Sequence, residues 1–122
     1  MESKKKFTIK ARIKSFAYAF QGIKHLLFSQ HNAWVHFAIT VLMIVLGFVL
    51  QLSTVEWCLI VLAMMIVWTA EGMNTAFEFL SDAVSENHHP LIESAKDIAA
   101  GAVLIAAIGA VIIGILVLYP HL

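Results

Sequence analysis

Val55 to Asp82 reads VEWCLIVLAMMIVWTAEGMNTAFEFLSD. Up to Ala70 the stretch is almost wholly apolar, and after it Glu71, Asn74, Glu78 and Asp82 follow at three- and four-residue steps. On a helix turning about 100° per residue those four side chains fall within an arc of about 80°, so they share one face. Carboxylates on one stripe repel one another, and an acid at a bilayer centre costs roughly 2.5–3.5 kcal/mol. Hydrogen bonds between packed helices can hold one polar residue there; four on one face point to a cation or a substrate. Counted from Val55, Glu71 lies ~24 Å along the axis and Glu78 ~35 Å, which puts the acids near and just beyond one membrane boundary, away from the midplane.

The chain around this stretch has 122 residues, of which 61% are hydrophobic, against about half in globular proteins. A single all-α membrane domain is expected over residues 1–122, without a separate soluble domain. Seven of the eight Lys and Arg residues are Lys4, Lys5, Lys6, Lys10, Arg12, Lys14 and Lys24, so the N-terminal end should face the cytoplasm, in a bacterial cell the inner side of the cytoplasmic membrane. Cys58 stands alone in an apolar run and supports no disulfide framework. No signal peptide is evident, no nucleotide-binding fingerprint occurs and no nucleic-acid partner is expected.

From about 9 to 28, Ile13, Phe16, Phe20, Ile23 and Leu27 recur at helical spacing while Lys10, Lys14, Gln21 and His25 point elsewhere, the pattern of an amphipathic helix lying on the membrane surface. Ser29 to Asn32 breaks that pattern. A first span follows over about 33–50, interrupted only by His36 and Thr40, with His36 read as a hydrogen-bonded histidine one turn inside the boundary. Gln51 to Thr54 forms the outer loop, and Ser53 with Glu56 has capping-box spacing. The second span covers about 55–80. Ala83 to Pro90 is a polar connection whose paired His88 and His89, with Glu86, lack a closed metal-ligand spacing. The third span covers about 97–119, preceded by Glu93, Lys96 and Asp97. Its Ala102, Ala106, Ala110 and Gly114 make a small-residue stripe suited to close helix packing in lipid.

Carboxylates, an amide and a lysine at a membrane boundary suit a reaction between a water-soluble anion and a lipid head group. Phosphoryl transfer fits: a carboxylate pair can hold Mg²⁺, which keeps several waters and bridges phosphates, lysine neutralises charge, and a further carboxylate accepts the proton of the attacking hydroxyl. Glu71 is the deepest acid and so the best candidate base. Glu78 and Asp97 stand nearer water and suit metal or nucleotide, and Lys96 could bridge to Glu71 or Glu78.

The run from Glu71 to Asp82 resembles the signature of the small prokaryotic diacylglycerol kinase and undecaprenol kinase family, E-x-x-N-[ST]-[SA]-x-E-x-x-x-D, and Ala95-Lys-Asp-Ile-Ala-Ala-Gly-Ala-Val-Leu104 resembles its A-K-D-x-x-x-x-A-V segment. Ser15 to Ile23 is similar to the family's surface helix, so the likeness covers nearly the whole chain. It implies a homotrimeric bundle of three spans plus a surface helix per chain, moving the γ-phosphate of ATP to a lipid alcohol, undecaprenol or diacylglycerol, with Mg²⁺. By position Glu71 would be the base, with Asn74 orienting the site. Glu78 would bind metal and ATP. Tyr18, Asn87, His88, His89, Lys96 and Asp97 would contact nucleotide, and Glu71 and Asp82 the lipid. Where the family often has a second metal-binding glutamate this chain has Gln30, whose amide oxygen can coordinate Mg²⁺ and whose place is also at the ATP, but which supplies no charge. Asn32-Ala-Trp-Val-His36 resembles an N-x-x-x-H element of the undecaprenol kinase branch. The rival from another class is a small proton- or cation-coupled transporter using Glu71, which wants a midplane acid and usually a fourth span. A holin-like structural oligomer would leave the acidic face unexplained.

Overall fold

The computed structural model describes residues 6–84 and 87–122; Lys4 and Lys5 of the basic cluster and Glu86 of the polar connection lie outside them. Among the described residues the chain is all-helical: α1 Ile9–Ser29, α2 His31–Val49, α3 Thr54–Val84, α4 Pro90–Leu118, and a final 3₁₀ turn over Tyr119–His121. By length and composition α2, α3 and the helix from Pro90 to His121 can each cross a membrane. Large apolar side chains such as Phe48, Ile105 and Leu116 stay exposed, as they can where the surrounding solvent is lipid.

Local chemistry sets the boundaries. Thr8 starts α1 by accepting from the Ala11 N–H at 3.1 Å. The expected break at Ser29 to Asn32 shrinks to one residue: Gln30, extended at φ −131° and ψ 133°, ends α1 and begins α2. Its side chain makes no capping bond there and is free to reach another helix. The Ser53–Glu56 capping box forms in both directions, Ser53 N–H to Glu56 Oε1 at 3.0 Å and Glu56 N–H to Ser53 Oγ at 3.2 Å. Pro90 takes the first turn of α4, and His89 caps that helix, its Nδ1 accepting from the Leu91 N–H at 3.2 Å.

Between α2 and α3 the chain reverses through a C-terminal motif that no glycine announces. Gln51 takes a left-handed φ of 55°, its N–H bonding Phe48 O at 3.3 Å, while Leu52 N–H bonds Gly47 O at 3.1 Å. Leu52 is thereby turned inward, where with Ile60 and Val117 it forms a small buried core flanked by Met43, Trp57 and Ile113. α3 packs chiefly on α4, and His121 closes the same end by pairing with Glu56 at 2.7 Å.

α2 and α3 run antiparallel, so residue numbers on one climb as those on the other fall. Gly47 meets Trp57, Thr40 meets Trp68, His36 meets Glu71, and at the head of α2 Gln30 meets Glu78. This register starts at the Trp57 contact, where only a glycine fits: a Cβ on Gly47 would run into the indole, with Cζ2 at 2.6 Å. Phe48 packs on the same indole at 5.1 Å between ring centroids and limits its retreat. Gly47→Ala should therefore lower stability by about 1–3 kcal/mol, the usual cost of overpacking, read as an earlier thermal unfolding midpoint in detergent. Adding Trp57→Leu should recover part of that loss, whereas an unchanged midpoint in Gly47→Ala would contradict the contact.

Candidate functional site

The acidic stripe of α3 divides as it leaves the bundle. Glu71 is 1% exposed, Asn74 and Thr75 are buried, Glu78 is half-buried and Asp82 is exposed. Burial deepens toward the middle of α3 because the neighbouring helices cover it there, and fades where α2 has already given way to Gln30.

Two polar groups from the α1–α2 side meet the stripe. Gln30 Nε2 donates to Glu78 Oε2 at 2.7 Å, and Asn74 Nδ2 approaches Glu78 Oε1 at 3.4 Å from one turn earlier on α3. The Glu78 carboxylate is thus held by two neutral amides, with no cation paired to it among the described residues. One turn deeper, His36 Nε2 stands 3.4 Å from Glu71 Oε2, within ion-pair range but without the alignment of a hydrogen bond. Glu71 Oε2, Asn74 Oδ1 and Thr75 Oγ1 are buried and lack a hydrogen-bond partner among the described residues. An unmet buried polar atom costs roughly 1–3 kcal/mol, so three in two turns of one helix mark a place built for something other than stability.

The remaining sequence candidates gather elsewhere. Asp82, Asn87, His88, His89, Lys96 and Asp97 line one cavity of about 370 Å³ with Ser81, Ile92 and Glu93, between the end of α3 and the start of α4. Within it His88 pairs with Glu93 at 3.1 Å. Lys96 makes no salt bridge to Glu71 or Glu78 among the described residues; it belongs to this second cluster. Tyr18 lies on α1, exposed, and lines neither group. No three His, Cys, Asp or Glu side chains converge among the described residues. Any cation here would therefore need amide oxygens, water or phosphate to complete its shell. Asn74 Oδ1 is such an oxygen, unpartnered beside Glu78, and turning the Gln30 amide about its last torsion would offer another.

Three residues that sequence reading did not weigh complete the geometry. Trp68 Nε1 donates to Thr40 Oγ1 at 3.0 Å, and Thr40 Oγ1 donates to the His36 carbonyl at 2.7 Å. The Trp68 ring meets the His36 imidazole edge-on, centroids 6.1 Å apart at 65°. Thr75 adds a buried hydroxyl, and the residue lines a cavity shared with Gly22 and Leu26 of α1. No local sequence signal marks these contacts, which depend on how α2 and α3 face each other.

A family model described as prokaryotic diacylglycerol kinase matches residues 17–118. An undecaprenol kinase of Bacillus subtilis is 38% identical over 109 residues, covering 89% of this chain and 89% of that protein. A diacylglycerol kinase of Synechocystis is 38% identical over 109 residues, 88% of this chain and 62% of that protein. A diacylglycerol kinase of Escherichia coli is 29% identical over 116 residues, covering 89% of each.

The buried acid makes a stability test that needs no substrate. Replacing Glu71 by methionine, of similar volume, removes an unmet buried carboxylate, so stability should rise by about 1–3 kcal/mol, read as a later thermal unfolding midpoint in detergent. A fall of that size would mean that the Glu71 carboxylate holds the fold together.

Proposed function

The chain belongs to the prokaryotic diacylglycerol kinase family, and from that premise we propose that it is an ATP-dependent lipid kinase, transferring the γ-phosphate of ATP to the hydroxyl of a membrane lipid alcohol, undecaprenol or diacylglycerol. The observation that carries the site assignment is Glu71: 1% exposed, at the polar end of a membrane-spanning helix, with an oxygen that no donor occupies. A carboxylate held in that state is suited to take the proton of a hydroxyl presented from the lipid side.

In this reading the acceptor oxygen attacks the γ-phosphorus, its proton passes to Glu71, and the bond to the ADP oxygen breaks. Asn74, one turn along, orients the reacting groups. Glu78 would hold Mg²⁺ with amide oxygens of Asn74 and Gln30; such a set suits an ion that keeps several waters and leaves places for phosphate oxygens. When bound, the ion supplies charge compensation for the phosphates. Asn87, His88, His89, Lys96 and Asp97 would receive the nucleotide, and their meeting around one cavity with Asp82 supports a common ligand there. Asp82 is then placed where the nucleotide side meets the lipid side, and Tyr18 would reach the nucleotide from α1.

The cluster of basic residues on and before α1 supports a cytoplasmic N-terminus, with α1 lying along the inner surface of the cytoplasmic membrane. A homotrimer is supported by the bare outer faces of α2 and α4 and by Gly101, Gly109 and Gly114, beside each of which there is room for another helix. The carrier alternative gains no support from the relatives, which are named as kinases.

The experiment offers purified protein in lipid-containing micelles Mg²⁺ and ATP labelled at the γ-phosphate, with undecaprenol or diacylglycerol as acceptor. Label should enter one or both lipids, and Glu71→Gln should reduce transfer by about 10²–10⁴-fold, the range for removal of a general base. No label in either lipid from folded protein, across a range of Mg²⁺ concentrations, would refute the kinase reading; full activity in Glu71→Gln would refute the base.

A further inference from the structure

His36 is the one ionisable side chain, among those described, that comes within ion-pair range of Glu71. Its backbone and ring share one set of neighbours: its carbonyl accepts from Thr40 Oγ1, Thr40 Oγ1 accepts from Trp68 Nε1, and the Trp68 ring meets the imidazole edge-on. The His36 backbone and the indole beside its ring are thus joined through one hydroxyl. A metal does not explain it, since no third ligand stands nearby among the described residues. Nor is it a core histidine with both nitrogens engaged, because Nε2 faces Glu71 Oε2 without a formed hydrogen bond.

On its other side His36 lines an apolar groove of about 510 Å³ that continues between α3 and α4 to Tyr119 and Leu122. The groove is walled from α4 by Ala107, Ala110 and Val111, and among the described residues Tyr119, at its far end, is the other titratable side chain lining it. The imidazole therefore stands between a buried carboxylate and a space open to apolar chains.

We propose that His36 is a positioning residue for Glu71, holding the carboxylate so that a fixed oxygen meets the hydroxyl of an acceptor whose tail enters from the groove. The inference rests on the base role given to Glu71 above. Nε2 is the nitrogen that faces the carboxylate, at 3.4 Å, in a buried setting where polar contacts are strong. When Glu71 takes the acceptor's proton, the His36 contact keeps the acid from turning away, and the proton leaves to solvent after the phosphorylated lipid departs. In this role His36 touches neither the reacting hydroxyl nor phosphate.

Two variants separate positioning from scaffolding. His36→Phe keeps a ring against Trp68 and removes the nitrogen, and should lower kcat roughly 10- to 100-fold while the KM for ATP stays near that of the wild type. It should also displace the acid limb of the pH–rate profile. His36→Gln presents an amide N–H in place of the imidazole and should recover much of kcat without the wild-type pH dependence. Independently of turnover, NMR of ring-labelled histidine in micelles, assigned through His36→Gln, should show the His36 titration midpoint moving in Glu71→Gln. Unchanged kcat and pH profile in His36→Phe, or a His36 midpoint indifferent to Glu71→Gln, would overturn the proposal while leaving an active kinase. Wild-type protein that transfers no label would sink the kinase reading and the positioning role with it.

Discussion

Glu71 is buried to 1% exposure on a helix long and apolar enough to cross a membrane, and one of its oxygens has no hydrogen-bond donor among the described residues. Few arrangements tolerate that. Lipid cannot hydrate the carboxylate, water is held away by the neighbouring helices, and the nearest charge partner is an imidazole 3.4 Å distant. The surroundings follow from this constraint. Glu78, nearer the helix end, is held by amides and keeps contact with the polar side, and the groove beside His36 gives the same region an apolar approach. An acid between a lipid-lined space and a polar ledge can meet a substrate that has both a tail and a hydroxyl.

The precision comes from pairing two helices in fixed register. The tight reversal at Gln51, the glycine that admits Trp57, and the Trp68–Thr40 bond set α2 against α3 along their length, so Gln30 arrives at Glu78 and His36 at Glu71. Slippage by one residue would rotate His36 about 100° away from its acid. The single extended residue between α1 and α2 matters equally. Had Gln30 capped α2 with its side chain, it could not have reached across to α3.

Helix positions were legible from the sequence because each rests on local rules. The Ser53–Glu56 box, Pro90 in the first turn of α4 and the uninterrupted apolar runs declare themselves within a few residues. The acidic stripe was legible too, since helical spacing puts Glu71, Asn74 and Glu78 on one side. Cross-helix consequences were less so. The Schellman-type turn is hidden because Gln51 fills the position usually marked by glycine, and without that turn the facing of His36 and Glu71 cannot be counted out. Lys96 was expected beside the deep acids because it shares their depth in the membrane. Depth does not fix azimuth, and the N-terminal turns of α4 present Lys96 to Asp82 and the His88–His89 segment instead. Gln30, expected to offer its oxygen to a metal, turns its nitrogen to Glu78 here, a choice between two ends of one amide that the neighbour decides and that sequence does not carry.

The physical claim beneath all of this is that Glu71 is a desolvated carboxyl group approached from lipid, and carbodiimides of opposite solubility test it directly. A membrane-permeant carbodiimide should modify Glu71, as located by peptide mass spectrometry, and added lipid alcohol should protect it. A water-soluble carbodiimide should leave Glu71 untouched while modifying Asp82, Glu93 and Asp97. Equal modification of Glu71 by the water-soluble reagent would show a hydrated acid, and the role assigned to its burial would fall.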